Sequence, residues 1–139
     1  DPVTVVAAKI READIVTGHY IRGFDLPLLS GSLLRAGLPP LIDVTTCDTK
    51  LDLKKAHGRS KSQRNLASEL RIEAPKVDVT LSEWEAFNTR QPGAMDKGIE
   101  RVRGDVIQHK ELRARLLELG WLGPIKTWRA GSSGGGYTP

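Results

Sequence analysis

The spacing of apolar residues predicts an alternation of helices and strands in the first third of the chain. In VTVVAAKIRE the apolar positions recur every three or four residues, which predicts an amphipathic helix over residues 3–13. The run ADIVTGHY predicts a buried strand over residues 13–20. Leucines at helical spacing predict a second helix over residues 24–35, and LIDVT predicts a second strand over residues 41–45.

After the second predicted strand, the pattern favours helices. Short helices are predicted over residues 48–56 and 62–71, and Ser82 is a suitable cap for another. A long helix is predicted over residues 97–119, where Gly120 provides a stop. Two short strands make a poor sheet by themselves, because parallel pairs normally lie inside larger sheets. Either further strands complete the sheet, or the fold is mostly helical.

Composition is that of an ordinary globular protein. The chain has 139 residues, of which 39% are apolar and 27% charged, and we expect one domain over residues 1–128 followed by a flexible Gly- and Ser-rich tail over residues 129–139. No apolar run reaches membrane-spanning length and no signal peptide is recognisable, so we expect a cytoplasmic, intracellular protein without a membrane partner. Cys47 is the only cysteine, which excludes an internal disulfide.

Positive charge is in excess and is concentrated in one segment. The chain has 21 Lys and Arg against 17 Asp and Glu, a balance that favours a polyanionic partner. Such a segment is usually a solvated surface, and phosphate contact is the functional alternative. The candidate phosphate-binding residues are Lys54, Lys55, Arg59, Lys61 and Arg64.

Two aspartates stand beside apolar residues and are candidate site residues. Asp25 lies in GHYIRGFDLPLL, and taken alone it is interpreted more readily as the N-cap of the following helix. Asp105 lies in RVRGDVIQHKEL, where a lone acid is more commonly an ion-pair partner of Arg101 or His109. The order of the two acids along the chain reverses this preference.

That order resembles the DEDD family of 3′–5′ exonucleases, in particular the polymerase-B-like proofreading branch. Phe24-Asp25 and the leucines after it are similar to the second exonuclease motif, although Tyr20 stands where the family has Asn. CDTKLDLKK and SQRNLASEL are similar to the segments that follow, and RVRGDVIQHKEL is similar to the third motif with Asp105 as its acid. The resemblance covers residues 3–119 and rests on order and spacing.

The resemblance implies a fold and a chemistry. The fold would be α/β, a ribonuclease-H-like three-layer domain represented here by its C-terminal part, with few strands and many helices. Asp25 and Asp105 would be catalytic metal ligands facing a common cleft. Two Mg²⁺ or Mn²⁺ ions would activate water and stabilise the leaving oxygen during phosphodiester hydrolysis, and such ions require oxygen ligands.

The chain also departs from the family. It contains no Asp-x-Glu of the first motif, so we expect an N-terminal segment or a second chain to supply those acids, and the isolated chain to be inactive. In the third motif Arg101 stands where the family has Tyr, and Glu100 stands at the alternative position of a His. Glu100 is therefore a possible substitute base.

The implied partner is single-stranded nucleic acid, with DNA favoured over RNA. Tyr20 and Phe24 would stack against terminal bases, and the basic segment would border the strand. A binding or structural module with a nuclease-like fold and no catalytic activity is the alternative, and the replacements at Tyr20, Glu100 and Arg101 favour it.

Overall fold

A computed structural model describes residues 2–56, 58, 60–73, 82–83 and 94–131, with only the backbone for residues 94–101. The fold is mixed α/β, as predicted. The chain divides into two compact units, the first formed by Asp1–Arg59 with Gly120–Pro139 and the second by Ser60–Leu119. The prediction of one domain over residues 1–128 stays a prediction, and of the predicted tail residues 132–139 lie outside the described part.

The first unit contains two α-helices, a π-helical turn and a three-stranded sheet. Their order along the chain is α1 (Pro2–Glu12), β1 (Val16–Gly18), the π-turn (Ile21–Asp25), α2 (Leu26–Arg35), β2 (Asp43–Asp48) and β3 (Lys126–Arg129). Sequence pattern predicted both α-helices. It also predicted both early strands, but β1 is shorter than expected and β2 extends further, to Asp48.

Strand β2 lies in the centre of the sheet. It pairs in parallel with β1, with Val16 opposite Thr46, and antiparallel with β3, with Val44 opposite Trp128. Strand β3 was not predicted, because KTWR is short and only Trp128 among its residues is buried. An ion pair of 3.1 Å between Arg129 Nε and Asp43 Oδ1 joins the outer ends of β2 and β3.

A small apolar core holds the helices against this sheet. Its buried residues come from α1, the π-turn, α2, the loop before β2, β2 itself and β3. They are Ala7, Ile21, Leu26, Leu33, Leu41, Val44 and Trp128. Full burial of a side chain such as Leu33 contributes roughly 1.5–3 kcal/mol. Ile21 is the first residue of the π-turn and Leu26 is the first residue after it, so core packing anchors both ends of the turn.

In addition to the two helical residues 82–83, the described part of the second unit contains two packed helices. They are α3 (Gln63–Glu69) and α4 (Ala94–Leu119), which correspond to the helices predicted over residues 62–71 and 97–119. Ser62 caps α3 by accepting a hydrogen bond from Asn65 N at 3.1 Å. Gly120, with φ of +81°, follows α4 and permits the left-handed turn that ends it.

The helix predicted over residues 48–56 is wrong. The Asp48 side chain accepts hydrogen bonds from the backbone N–H groups of Lys50 and Leu51, as the N-cap of a helix would, but only a single turn follows. Leu53 then forms a β-bridge with Leu122. Ser82 is helical, but most of the helix predicted after it lies outside the described residues. In the described part of the chain, no helix has the length and hydrophobicity needed to cross a membrane.

Candidate functional site

The predicted second motif lies where the chain leaves the sheet. Strands β1 and β2 are parallel, so the segments that follow them leave at the same sheet edge, which is where open α/β sheets usually place their ligand sites. The segment after β1 is Tyr20 with the π-turn, and the segment after β2 is the turn over residues 49–52. Both belong to the first unit.

Asp48, the last residue of β2, connects these two segments. Its Oδ1 accepts hydrogen bonds from Tyr20 N at 2.9 Å, from Lys50 N at 3.0 Å and from Leu51 N at 3.0 Å. Its Oδ2 accepts a fourth from Arg22 N at 3.1 Å. The residue is completely buried, and a buried carboxylate is tolerated only with such partners.

A buried arginine and a second aspartate complete this cluster. The Arg22 guanidinium forms an ion pair through Nη2 with Asp52 Oδ1, and its Nε lies 4.0 Å from Asp48 Oδ2. Asp52 Oδ2 also accepts a hydrogen bond from Asp48 N at 3.0 Å. Lys126 Nζ approaches Asp52 Oδ1 to 3.8 Å. Two carboxylates and two cations therefore balance one another, and we call Arg22, Asp48 and Asp52 the buried charge cluster.

Within the described part of the chain, the Arg22 guanidinium is only partly satisfied. Neither Nε nor Nη1 has a hydrogen-bond partner there, although the side chain is fully buried. Unsatisfied buried donors cost free energy. The arginine is held in this position by its ion pair with Asp52 and by the hydrogen bond from its backbone N–H to Asp48.

Tyr20 occupies an unusual backbone conformation and contacts a lysine. Its φ of 69° is left-handed, which is uncommon outside glycine. The Lys50 ammonium lies 4.1 Å from the centroid of the Tyr20 ring, within cation–π distance. A Cβ atom on Gly23 would lie 2.2 Å from ring atoms of Tyr20, so a larger residue there would displace the ring from this position. Lys50 already covers part of the ring.

Phe24 and Asp25, the two motif residues, both reach the surface. The Phe24 side chain is 58% exposed, and its backbone N–H donates to Tyr20 O at 3.0 Å. Asp25 is exposed and directly precedes α2, yet its side chain makes no capping hydrogen bond. The capping interpretation of Asp25 is therefore wrong, because the π-turn runs directly into α2 and continues the helical backbone.

The surroundings of Asp25 disfavour its negative charge. Desolvation by neighbouring atoms raises the pKa of the carboxyl above its ordinary 3.8, and the charge of Asp48 raises the pKa further. A hydrogen bond from the Asp25 backbone acts in the opposite direction and lowers the pKa in part. A nearby cation, such as a bound metal ion, would therefore stabilise the charged form of this carboxylate.

The predicted third motif lies in the second unit. Asp105 is exposed on α4, and its backbone carbonyl accepts a hydrogen bond from Gln63 Nε2 at 3.0 Å. Gln63 Nε2 also donates to Gln108 Oε1 at 3.1 Å, which joins α3 to α4 beside Asp105. The side chain of Glu100 lies outside the described residues. Because Asp25 and Asp105 belong to different units, their convergence on one cleft stays a prediction.

The basic segment is exposed wherever it is described. Lys54 and Lys55 follow the turn after β2, whereas Lys61 and Arg64 lie at the start of the second unit. Arg59 lies outside the described residues. Phosphate contact by this segment stays a prediction.

Oxygen ligands for a metal are few in the described part. No group of three or more His, Cys, Asp or Glu side chains there is arranged to hold a metal ion. At the sheet edge, the oxygens of Asp48 and Asp52 accept hydrogen bonds and ion pairs from the protein itself. Asp25 is the carboxylate of the π-turn that reaches the surface.

Sequence interpretation missed the buried charge cluster as part of this site, and it did not foresee the contact between Lys50 and Tyr20. The Asp-x-x-x-Asp spacing of Asp48 and Asp52 was visible, but it resembled the start of a polar helix. Nothing in the sequence marks Arg22 as fully buried. Comparison of the chain with protein-family models, with curated proteins and with solved structures gave no match.

Proposed function

We propose that the chain is the C-terminal part of a ribonuclease-H-like domain that acts as a metal-dependent 3′–5′ exonuclease on single-stranded nucleic acid, with DNA favoured over RNA. The observation that carries this proposal is the presentation of Asp25. Its carboxylate is exposed at a sheet edge, does not cap α2, and is carried by a π-helical turn. π-Helical turns are rare and occur frequently at functional sites.

In this proposal, Asp25 and Asp105 are ligands of Mg²⁺ or Mn²⁺. The metal ions activate the attacking water and stabilise charge on the leaving oxygen. The raised pKa of Asp25 supports a role as ligand, because a bound cation would offset both the desolvation of its carboxylate and the repulsion by Asp48. Two further acids come from an N-terminal segment or a second chain, and Glu100 is the substitute base.

The strand end contacts the exposed aromatic side chain of the π-turn. Phe24 offers an accessible ring for stacking on a terminal base. Tyr20 holds Lys50 against its ring, so it contributes the tyrosine hydroxyl and a nearby ammonium more readily than a free stacking face. The exposed basic segment supplies phosphate contacts whose strength falls with salt.

A second candidate function is strand binding without cutting. Asp48 and Asp52 use their oxygens within the protein, which leaves Asp25 as the accessible acid of the π-turn. Mg²⁺ is normally bound by one or two carboxylates together with substrate phosphates. A single carboxylate without those phosphates therefore holds Mg²⁺ weakly. The same surface would still bind a strand through Phe24 and the lysines.

Degradation of an end-labelled single strand separates the two functions. The chain is assayed alone and after extension with an N-terminal segment whose strand carries Asp-x-Glu, each with Mn²⁺ and with chelator. We expect little cutting by the chain alone, and metal-dependent cutting by the extended chain that is lost on Asp25→Ala or Asp105→Ala. Binding without cutting under both conditions would support the second function. Absence of both would contradict each proposal.

A further inference from the structure

Asp48 is fully buried, yet all four backbone groups bonded to its side chain belong to the segments that form the candidate site. Two of these N–H groups, on Tyr20 and Arg22, follow β1, and two, on Lys50 and Leu51, follow β2. The Arg22 N–H belongs to the first turn of a helical segment, where backbone donors have no partner within the helix. One carboxylate therefore fixes both segments at the same sheet edge.

Only a carboxylate can make this set of contacts. It offers two oxygens with about four acceptor positions, which matches the four N–H donors. An asparagine would keep one oxygen and direct an NH₂ group at donors of its own kind. The Arg22 guanidinium forms an ion pair with Asp52, and its Nε lies 4.0 Å from Asp48 Oδ2. Negative charge on Asp48 is therefore favourable for Arg22 as well.

The contacts of Asp48 have consequences at the surface. By bonding the backbone of Tyr20 and of Lys50 through the same oxygen, Asp48 holds the two residues close together, which allows the Lys50 ammonium to lie over the Tyr20 ring. By fixing Arg22 N it orients the π-turn, and with it Phe24 and Asp25, which lie two and three residues further along. The exposed residues of the site are therefore arranged by a buried one.

We propose that Asp48 is the positioning residue of the candidate site, and that it orders the Tyr20–Lys50 pair and the π-turn that carries Phe24 and Asp25 for contact with a nucleic-acid strand. The part of this inference that concerns the strand rests on the proposed function. The part that concerns the two segments does not, and it can be measured without any ligand.

Amide hydrogen exchange of the wild-type chain tests the arrangement first. The N–H groups of Tyr20, Arg22, Lys50 and Leu51 should exchange at least about tenfold more slowly than the N–H of Ile42, an exposed loop residue near the opposite end of β2. Exchange of all four at the rate of Ile42 would overturn the proposal. This result does not depend on whether any variant folds.

Asp48→Asn tests the positioning role, with Cys47→Ala as the matched control. Cys47 is a buried residue of the same strand that makes none of these contacts and does not belong to the apolar core that anchors the π-turn, and both variants are measured at a temperature or urea concentration that gives equal folded fractions. We expect Asp48→Asn to accelerate exchange of the four amides, to shift the Tyr20 ring resonances, and to weaken single-strand binding about tenfold. Cys47→Ala should leave all three unchanged.

The outcomes separate failure of this inference from failure of the proposed function. Unchanged exchange and unchanged strand affinity in Asp48→Asn would overturn the positioning role, and so would an equal loss of affinity in Cys47→Ala. If the wild-type chain binds no strand while its four amides are protected and are released by Asp48→Asn, then the arrangement of the segments stands and the proposed function fails.

Discussion

The turn that carries Asp25 and the helix that carries Asp105 present their acids by different means. The π-turn depends on a left-handed Tyr20, a glycine at position 23 and the buried Asp48. Asp105 is placed by the regular geometry of α4, as any residue at that position would be. A conformation that requires so many specific residues is costly to maintain, and such features are concentrated at functional sites. The comparison makes the π-turn the stronger candidate of the two regions.

The largest effect is expected from Asp105→Asn, which tests whether α4 contributes to catalysis. In the extended chain, Asp105→Asn should lower the rate of strand cutting by about 100-fold or more, because a metal ligand is lost. Glu111→Gln, a change at another exposed acid of α4, is the matched control and should leave the rate unchanged. Cutting is followed with an end-labelled strand and Mn²⁺. Equal rates for the two variants would confine the site to the first unit.

A smaller effect is expected from the aromatic residue of the π-turn. Phe24→Ala should weaken binding of a single strand about tenfold, since stacking on a base contributes roughly 1–3 kcal/mol. The control is Leu34→Ala, which removes an exposed apolar side chain from α2. Fluorescence anisotropy of a labelled oligonucleotide measures both affinities. A similar loss in Leu34→Ala would show that general surface hydrophobicity, and not stacking, drives binding.

The basic segment should act through salt dependence more than through specificity. Replacing Lys54, Lys55, Lys61 and Arg64 with Ser should lower the slope of log affinity against log salt by about 0.7 for each lost phosphate contact. Lys9→Ser with Arg11→Ser on α1 is the charge control and should change the slope less. An equal change per removed charge in both variants would indicate that only net charge matters.

The smallest effect is expected from Asp25→Asn on the melting temperature, which shows whether the Asp25 carboxylate stabilises the fold. Because desolvation by neighbouring atoms and the charge of Asp48 raise the pKa of Asp25 above 3.8, the protonated form is favoured by folding, and that contribution is lost as pH rises through the raised pKa. Asp25→Asn should therefore raise the melting temperature at pH 7, measured with chelator, by less than about 2 °C. The difference should vanish below pH 3.8. A lower melting temperature at pH 7 would indicate a structural role for the carboxylate.

The sequence predicted those elements whose apolar residues repeat over several turns. All four described helices with defined bounds were predicted in this way, since burial of one face determines the pattern. Strand β3 and the end of β2 were missed because TTCD and KTWR contain mostly polar residues, and their burial depends on partners distant in the chain. The helix predicted after β2 is limited to a single turn, because Leu53 forms a β-bridge with Leu122, a partner distant in the chain, and does not continue the helix.

The candidate site was predictable only at its surface. Asp25 and Phe24 were identified from a short motif, and both are exposed. The residues that hold them are buried and charged, a combination that pattern analysis assigns to the surface by default. Arg22, Asp48 and Asp52 could be placed in the interior only after the two strand ends were known to be adjacent.

Paramagnetic line broadening by Mn²⁺ tests most directly whether the π-turn binds metal. Small additions of Mn²⁺ broaden amide resonances near a site even when binding is weak, and Asp14, an exposed acid outside the π-turn, is the internal reference. We expect Phe24, Asp25 and Leu26 to broaden well before Asp14 does, and Asp25→Asn to abolish this preference. Broadening of Asp14 and Asp25 to the same extent, or an unchanged pattern in Asp25→Asn, would contradict metal binding by the π-turn.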